Sequence, residues 1–150
     1  MSGVVVAVCI GPGGIPKRPV EEAHVEELGL VGDGHRFHLH GGRDRAVCIL
    51  SESDVRSLEA DGVATSGPGT FGENLLLRGV DLGALRPGDR LAVGDELVIE
   101  IADVREPCKT LRSVDPRFPD LMVGRSGFVC RVATPGTVRR GDAVAVVVRR

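Results

Sequence analysis

Residues 87–104 read PGDRLAVGDELVIEIADV and contain two short apolar runs, 90–93 and 96–104, separated by a turn. The first run follows Pro-Gly-Asp, which is typical of a tight turn that leads into a strand. A similar Arg-Gly-Asp turn at 140–142 precedes a third run at 143–149. Short strands spaced in this way predict a mainly β domain.

The rest of the chain adds four strand-like segments and one clear helix. The strand-like segments are 4–10, 45–50, 74–78 and 128–133. Residues 51–60 predict a helix with Ser51 or Ser53 as its N-cap and Gly62 as its stop signal. Residues 15–30 are compatible with a strand pair or with a loop. About seven short strands with one or two short helices predict a closed or nearly closed β-barrel.

Length and composition are those of one globular domain spanning residues 1–150. The chain is 42% hydrophobic and 27% charged, and a compact chain of this size buries roughly 70% of its unfolded surface. No apolar run approaches the roughly 18 residues of a transmembrane helix. The N-terminal run lacks the basic segment and cleavage site of a signal peptide, so we expect a cytoplasmic protein with no membrane partner. The net charge is −2 and the cations are spread out, which argues against a nucleic-acid partner.

The four cysteines fall into two groups. Three lie within apolar strand-like runs: Cys9, Cys48 and Cys130. A thiol in such a run behaves as a small apolar side chain. Cys108 instead follows Pro107 in a predicted loop, between Arg105 and Lys109, and nearby cations favour its thiolate. Cys108 is therefore a candidate nucleophile or metal ligand, with an inert surface thiol as the alternative. No CxxC pair occurs, which is typical of reduced thiols in the cytoplasm.

Two polar segments are also candidates for a binding site. Residues 32–42 (GDGHRFHLHGG) place three histidines within six positions, which suits a zinc site, histidines bound to backbone, or a glycine cradle for an anion. Residues 69–75 (GTFGENL) bring Glu73 and Asn74 into an apolar strand, where they either close the loop or contact a ligand. The sequence has no P-loop, no GxGxxG after a strand, no GxSxG and no HExxH, so nucleotide hydrolysis, dinucleotide binding and serine hydrolysis lack support.

Together these segments resemble the MOSC domain, the module at the C-terminus of molybdenum cofactor sulfurases. The resemblance rests on GDGHRFHLHGGRDRAV (32–47), GTFGENLLLRG (69–79), REPCKTL (105–111) and GFVCRVATPGTVRRGDAV (127–144), in that order. It covers nearly the whole chain. It implies a strand-rich β-barrel and a role in sulfur or molybdenum cofactor chemistry.

The resemblance also implies a site. Cys108 falls on the family's cysteine, which ligates molybdenum or carries sulfur as a persulfide. We expect the molybdenum cofactor, a molybdopterin, to be the bound small molecule. The expected cofactor-binding residues are His40, Gly41, Gly42, Glu73, Asn74, Arg105, Lys109, Arg112 and Arg125. The four cations in that set are predicted to contact the cofactor's phosphate.

Several functions remain open from the sequence. In the leading hypothesis the chain binds the cofactor and reduces small N-hydroxylated compounds, or relays sulfur through Cys108. The chain contains no pyridoxal-phosphate desulfurase domain, so an electron-donor or sulfur-donor protein is the expected partner. One alternative is a metal-free sulfur-relay module, and another is a protein interaction module without catalysis. A cysteine hydrolase is disfavoured because no motif pairs a histidine with Cys108.

Overall fold

A computed structural model of the chain describes residues 2–34, 42–107 and 109–147. The strands are β1 (Ser2–Ile10), β2 (Arg18–Val20), β3 (Glu22–Glu26), β4 (Gly29–Leu30), β5 (Val47–Ser51), β6 (Leu75–Arg78), β7 (Arg90–Val93), β8 (Leu97–Val104), β9 (Phe128–Thr134), β10 (Gly136–Arg139) and β11 (Ala143–Val146). The α-helix of the described ranges, α1, spans Glu52–Ala60, and short 3₁₀ turns occur at Arg43–Arg45, Leu82–Ala84, Lys109–Ser113 and Asp120–Met122.

Seven strands form a closed barrel. Their order is β11-β7-β8-β9-β5-β6-β1, and pairing between β1 and β11 completes the ring. The closing pairs include Ser2 with Ala145 and Val4 with Ala143, in antiparallel register. β2 pairs with the end of β1 at residues 8–10, across β1 from β6. These seven strands correspond to the seven apolar runs of the sequence, so the predicted mainly β closed barrel is confirmed.

Helix α1 connects two parallel neighbours, β5 and β6, since parallel strands need a crossover rather than a hairpin. The helix begins after Ser51, whose Oγ accepts a hydrogen bond from the Ser53 N–H at 3.2 Å. It ends before Gly62, which has a φ of +91° and donates its N–H to the Glu59 carbonyl at 3.0 Å. The predicted helix and its stop signal are therefore confirmed, and Ser51 is the cap.

A second, three-stranded sheet has the order β10-β3-β4. Residues 15–30 thus contain strands, which is one of the two alternatives left open by the sequence. Strand β10 was not predicted, because its apolar content is essentially Val138 between two turns. Val138 is buried opposite Ala23 of β3, a long-range pairing that no local pattern records.

The core has two parts, one inside the barrel and one against its outer wall. Inside the barrel lie alternating residues of the strands, among them Val47, Ile49, Leu91, Ile99 and Ile101. The outer part includes Leu50, Leu58, Phe71, Leu111, Phe118 and Met122. Phe71 and Phe118 meet edge to face with ring centroids 5.8 Å apart. This second cluster fixes the segment 109–122, and so the chain that follows Cys108, to the barrel wall.

None of the helices in the described ranges is long and apolar enough to cross a membrane.

Candidate functional site

The loop before β6 is closed by the side chain of Glu73. One carboxylate oxygen accepts the Gly69 N–H at 2.9 Å and the other accepts the Phe71 N–H at 3.3 Å. Glu73 is 1% exposed, and burial raises its pKa, while the backbone N–H donors and Arg105 oppose the rise. Of the two roles considered from the sequence, the loop-closing one is seen in these contacts.

Asn74 joins three separate parts of the chain. Its Nδ2 donates to the Cys9 carbonyl at 3.2 Å and to Asp33 Oδ2 at 2.9 Å. Its Oδ1 accepts the Cys48 N–H at 2.9 Å. Both amide hydrogens of Asn74 are thereby used, and the side chain is 2% exposed. Asn74 ties β1 and β5 to the segment that ends at residue 34.

Asp33 is also held by Lys17, a contact that the sequence analysis missed. The Lys17 Nζ lies 2.6 Å from Asp33 Oδ1 and 2.7 Å from Oδ2, and the Gly11 N–H donates to Oδ1 at 3.0 Å. The two side chains are 9% and 2% exposed. Asp33 lies inside the quoted 32–42 motif, which could have directed attention to it, but nothing in the sequence around Lys17 marks it as its partner.

Arg105 anchors the segment that leads to Cys108. Its N–H donates to the Gly127 carbonyl at 3.0 Å, and its own carbonyl accepts from Ser126 Oγ at 2.6 Å. The guanidinium donates through Nη2 to the Phe71 carbonyl. Its Nη1 is buried and has no hydrogen-bond partner among the described residues, and a buried donor left unpaired costs about 1–3 kcal/mol.

A cavity of about 560 Å³ lies beside this segment. Its lining residues are Asp44, Arg45, Ala102, Asp103, Val104, Arg105, Glu106, Pro107, Val123, Gly124, Ser126, Val129 and Arg131. Pro107 is the residue directly before Cys108 in the chain. The cavity therefore borders three of the predicted motif segments, 32–47, 105–111 and 127–144.

The other predicted cations lie in different surroundings. Lys109 and Arg112 are exposed on the 3₁₀ turn Lys109–Ser113, and Arg112 Nε donates to the Phe118 carbonyl at 3.2 Å. Arg125 instead pairs with Asp61 at 2.6 Å and donates to the Leu121 carbonyl. The contacts of Arg125 thus lie at the end of α1, and it is absent from the lining of the cavity beside Arg105.

Three predicted site residues, His40, Gly41 and Cys108, lie outside the described residues. So do His35 and His38, on which the zinc alternative depends. Gly42 is described: it has a φ of +100° and open space around its Cα. Within the ranges 2–34, 42–107 and 109–147, no group of three His, Cys, Asp or Glu side chains could hold a metal ion.

The three described cysteines are free thiols. Burial raises the pKa of Cys9 to about 12, helped by Glu73 and opposed by Lys17. Burial also raises the pKa of Cys130. Cys48 is only partly buried; burial raises its pKa, and Arg105 and Arg45 oppose the rise.

The protein is a closed seven-stranded β-barrel. A buried polar network of Lys17, Asp33 and Asn74 connects loops at one end of its strands. The MOSC domain model matches residues 36–145, and the chain belongs to that family. The chain is 30% identical over 142 residues to the uncharacterized protein YflK of Bacillus subtilis, which covers 91% of this chain and 64% of YflK. It is 28% identical over 131 residues to a protein named "Reductase" of Gibberella moniliformis, covering 81% of this chain and 23% of that protein. The chain thus spans less than two thirds of the length of either relative.

Solved structures have the same architecture. YiiM of Geobacillus stearothermophilus superposes with a TM-score of 0.79 at 26% identity, covering 98% of this chain and 76% of that one. YiiM of Escherichia coli gives a TM-score of 0.78 at 26% identity, covering 100% and 71%. The YuaD protein of Bacillus subtilis gives 0.82 at 21% identity, covering 100% and 98%, which supports the fold alone.

Proposed function

We propose that the protein binds a molybdenum cofactor at the segment around Cys108 and acts as a cofactor-dependent reductase. The observation that carries the proposal is a group of cations close to Cys108 in the chain. Arg105, Lys109 and Arg112 have no carboxylate ion-pair partner among the described residues, whereas ten other lysines and arginines do. Arg105 lines the cavity, and Lys109 and Arg112 lie on the turn that follows Cys108 in the chain; cations without counter-ions near one segment suit an anionic ligand.

The donor set of the chain fits such a cofactor. Arg105 lines the cavity beside Pro107, and its buried Nη1 has no partner among the described residues, so an anionic oxygen would give this donor an acceptor. The thiolate of Cys108 would be a soft ligand for the metal. Lys109 and Arg112 would supply further positive charge for the phosphate. Arg125 is engaged with Asp61 and has no part in the proposal.

Glu73 and Asn74 would act indirectly. The hydrogen bonds of Glu73 hold the loop whose Phe71 carbonyl accepts from Arg105, and those of Asn74 hold Asp33 and the Cys48 backbone. Both side chains would therefore position the site rather than contact the cofactor. His40, Gly41 and Gly42 remain proposed pocket residues on the resemblance alone.

When bound, the cofactor would supply a redox centre at which an N-hydroxylated compound is reduced. That overall reaction breaks the N–O bond, takes two electrons from a partner reductase and two protons, and releases water. The relative named "Reductase" supports this class of chemistry. The free thiols of Cys9, Cys48 and Cys130 support a cytoplasmic location.

A metal-free sulfur relay is the second candidate. The same unpaired cations would stabilise a persulfide anion on Cys108, as they would a thiolate. A sulfur-donor protein would then be the partner in place of an electron donor. This candidate requires no deep site for a pterin.

The test is elemental analysis for molybdenum in protein purified from a host that makes the cofactor. The wild type and Cys108→Ala are compared with Ser113→Ala, which removes an exposed hydroxyl on the 3₁₀ turn Lys109–Ser113. Near-stoichiometric molybdenum in the wild type and in Ser113→Ala, lost in Cys108→Ala, would support the proposal. Absence of molybdenum from the wild type would overturn it. In that case an intact mass with one additional sulfur atom, absent from Cys108→Ala, would establish the second candidate.

A further inference from the structure

Two of the three arginines on the wall of the 560 Å³ cavity, Arg45 and Arg105, make no ion pair with a described carboxylate. Arg45 follows two residues of the 3₁₀ turn that are both in ion pairs: Arg43 with Glu27 and Asp44 with Arg131. Arg45 itself is partly buried and makes no ion pair with any described carboxylate. Arg105 makes none either, and no atom of the described residues accepts from its buried Nη1.

The other charged groups of the cavity are Arg131 and three carboxylates, of which Asp103 and Glu106 make no ion pair with a described cation. Arg131 binds both Asp44 and Glu100, and Asp103 accepts its neighbouring Val104 N–H at 2.7 Å. Glu106 is exposed at the rim. Among the arginines of the cavity wall, Arg45 and Arg105 are thus the two that make no ion pair with a described carboxylate, and their guanidiniums keep donors for a ligand.

We infer that Arg45 and Arg105 together form a binding site for a phosphate-type oxyanion on this cavity wall. Arg45 belongs to the motif 32–47 and Arg105 to the motif 105–111, so the site joins two segments distant in the chain. A guanidinium presents donors in a planar fork that matches the oxygens of a phosphate. The electrostatic influence of both arginines on the thiol of Cys48 agrees with their placement on one side of the barrel.

This inference deepens the proposed function and rests on it only for the identity of the molecule that carries the oxyanion. The shared chemistry is a phosphate group. It belongs either to the phosphate ester of the pterin cofactor or to a free anion that enters the cavity.

The experiment titrates inorganic phosphate into the full-length protein, purified from a host that does not make the cofactor, and follows heat of binding and melting temperature. Phosphate should bind the wild type saturably and raise its melting temperature, since a ligand of the folded state stabilises it. Arg45→Gln should bind phosphate at least about tenfold more weakly, the loss typical of a hydrogen bond to a charged group. Because no described contact holds the Arg45 guanidinium, this variant should keep the wild-type melting temperature without phosphate.

Two further variants sharpen the result. Arg86→Gln removes an exposed guanidinium that likewise has no ion pair with a described carboxylate but lies outside the cavity lining, and this variant should bind phosphate like the wild type. Arg45→Lys keeps the charge and loses the fork, and its affinity should fall between those of the wild type and Arg45→Gln. The inference is overturned if the wild type does not bind phosphate, or if Arg45→Gln and Arg86→Gln weaken binding equally.

The two sources of the phosphate group are separated with protein from a host that makes the cofactor. If loading with cofactor abolishes phosphate binding, the pterin phosphate occupies the site; if phosphate still binds, the site takes a free anion. Molybdenum content is measured on the same samples. A wild type without molybdenum contradicts the proposed function, whereas loss of phosphate binding in Arg45→Gln still supports this site.

Discussion

Lys17 and Asp33, 16 positions apart in the chain, form a buried ion pair in which both carboxylate oxygens lie within 2.7 Å of the ammonium. Asp33 also receives the Gly11 N–H and the Asn74 amide. The backbone of Lys17 adds a second tie, because its N–H donates to the Gly69 carbonyl at 2.8 Å. The Lys17–Asp33 pair and its hydrogen bonds thus connect the loop after β1, the residues that follow β4 and the loop before β6.

Removing the Lys17 ammonium should strongly destabilise the fold. Lys17→Met leaves the Asp33 carboxylate buried with only neutral donors, and breaking a buried pair in this way costs about 3–5 kcal/mol. Urea unfolding monitored by circular dichroism measures the change in the free energy of unfolding.

Arg139→Met provides the matched control, because the pair between Arg139 and Glu22 lies on the surface with both side chains more than half exposed. Exposed pairs contribute little, so this variant should unfold nearly as the wild type does. A loss of stability no larger for Lys17→Met than for Arg139→Met would show that the buried pair does not hold the loops together.

Glu73 should make stability depend on pH in a recognisable direction. Because burial raises its folded pKa, the folded state keeps the Glu73 proton to higher pH than the unfolded state, whose pKa is about 4.3. The contribution of Glu73 is therefore most favourable below that value and is lost as pH rises through the raised folded pKa. Glu73→Gln removes this contribution.

The measurement compares the free energies of unfolding of the wild type and Glu73→Gln from about pH 4 to about pH 8, a range that begins near the unfolded pKa and extends above it. The difference in favour of the wild type should shrink as pH rises. Taking the difference cancels the other carboxylates, such as Glu100 and Glu52, whose pKa values are lowered by arginines. A difference that grows with pH would contradict the raised pKa of Glu73.

The barrel was predictable because its information is local. Each of the seven barrel strands is a short, mainly apolar run in the sequence, and α1 has its own cap and stop signal. Strand β10 lacked such a signal, because four residues with one buried apolar side chain gain their stability from pairing with β3 rather than from their own pattern.

The candidate site was predictable only in part, since its contacts are long-range. The quoted motifs contain Asp33, Asn74 and Arg105, but Lys17 lies outside them, and the Asn74 amide contacts Asp33 across 41 residues. Charge near Cys108 in the sequence did not separate Arg105, which lines the cavity, from Arg125, which pairs with Asp61. The sequence does not show that the chain after residue 113 carries Arg125 to Asp61 at the end of α1.

The cysteines should differ widely in reactivity. Cys9, with a pKa of about 12, has a thiolate fraction on the order of 10⁻⁵ at pH 7, and Cys130 is likewise buried with a raised pKa. With the loop cations favouring its thiolate, Cys108 should react with iodoacetamide well before both. Peptide mass spectrometry after timed alkylation measures the rates, and urea-unfolded protein, in which all four thiols should react alike, is the control. Equal rates in the folded protein would remove Cys108 from its proposed role.

Gly127 should tolerate no side chain, because it lies where β9 approaches β5. Its φ is +75°, and an added Cβ would overlap the Ile49 carbonyl oxygen and approach Leu50 Cα to 3.2 Å. Gly141 has a similar φ of +92° but open space around its Cα, so Gly141→Ala isolates the cost of the backbone conformation, about 1–2 kcal/mol. Gly127→Ala should cost a further 1–3 kcal/mol or so from overpacking.

Because the Gly127 carbonyl accepts the Arg105 N–H, displacement at Gly127 should also disturb the segment that leads to Cys108. Phosphate affinity measured on Gly127→Ala at a temperature where it remains folded should therefore fall, while Gly141→Ala should match the wild type. Equal stability losses in the two glycine variants would mean that β9 can move away from β5 at little cost, and unchanged phosphate affinity in Gly127→Ala would mean that Arg105 is held by Ser126 and Phe71 alone.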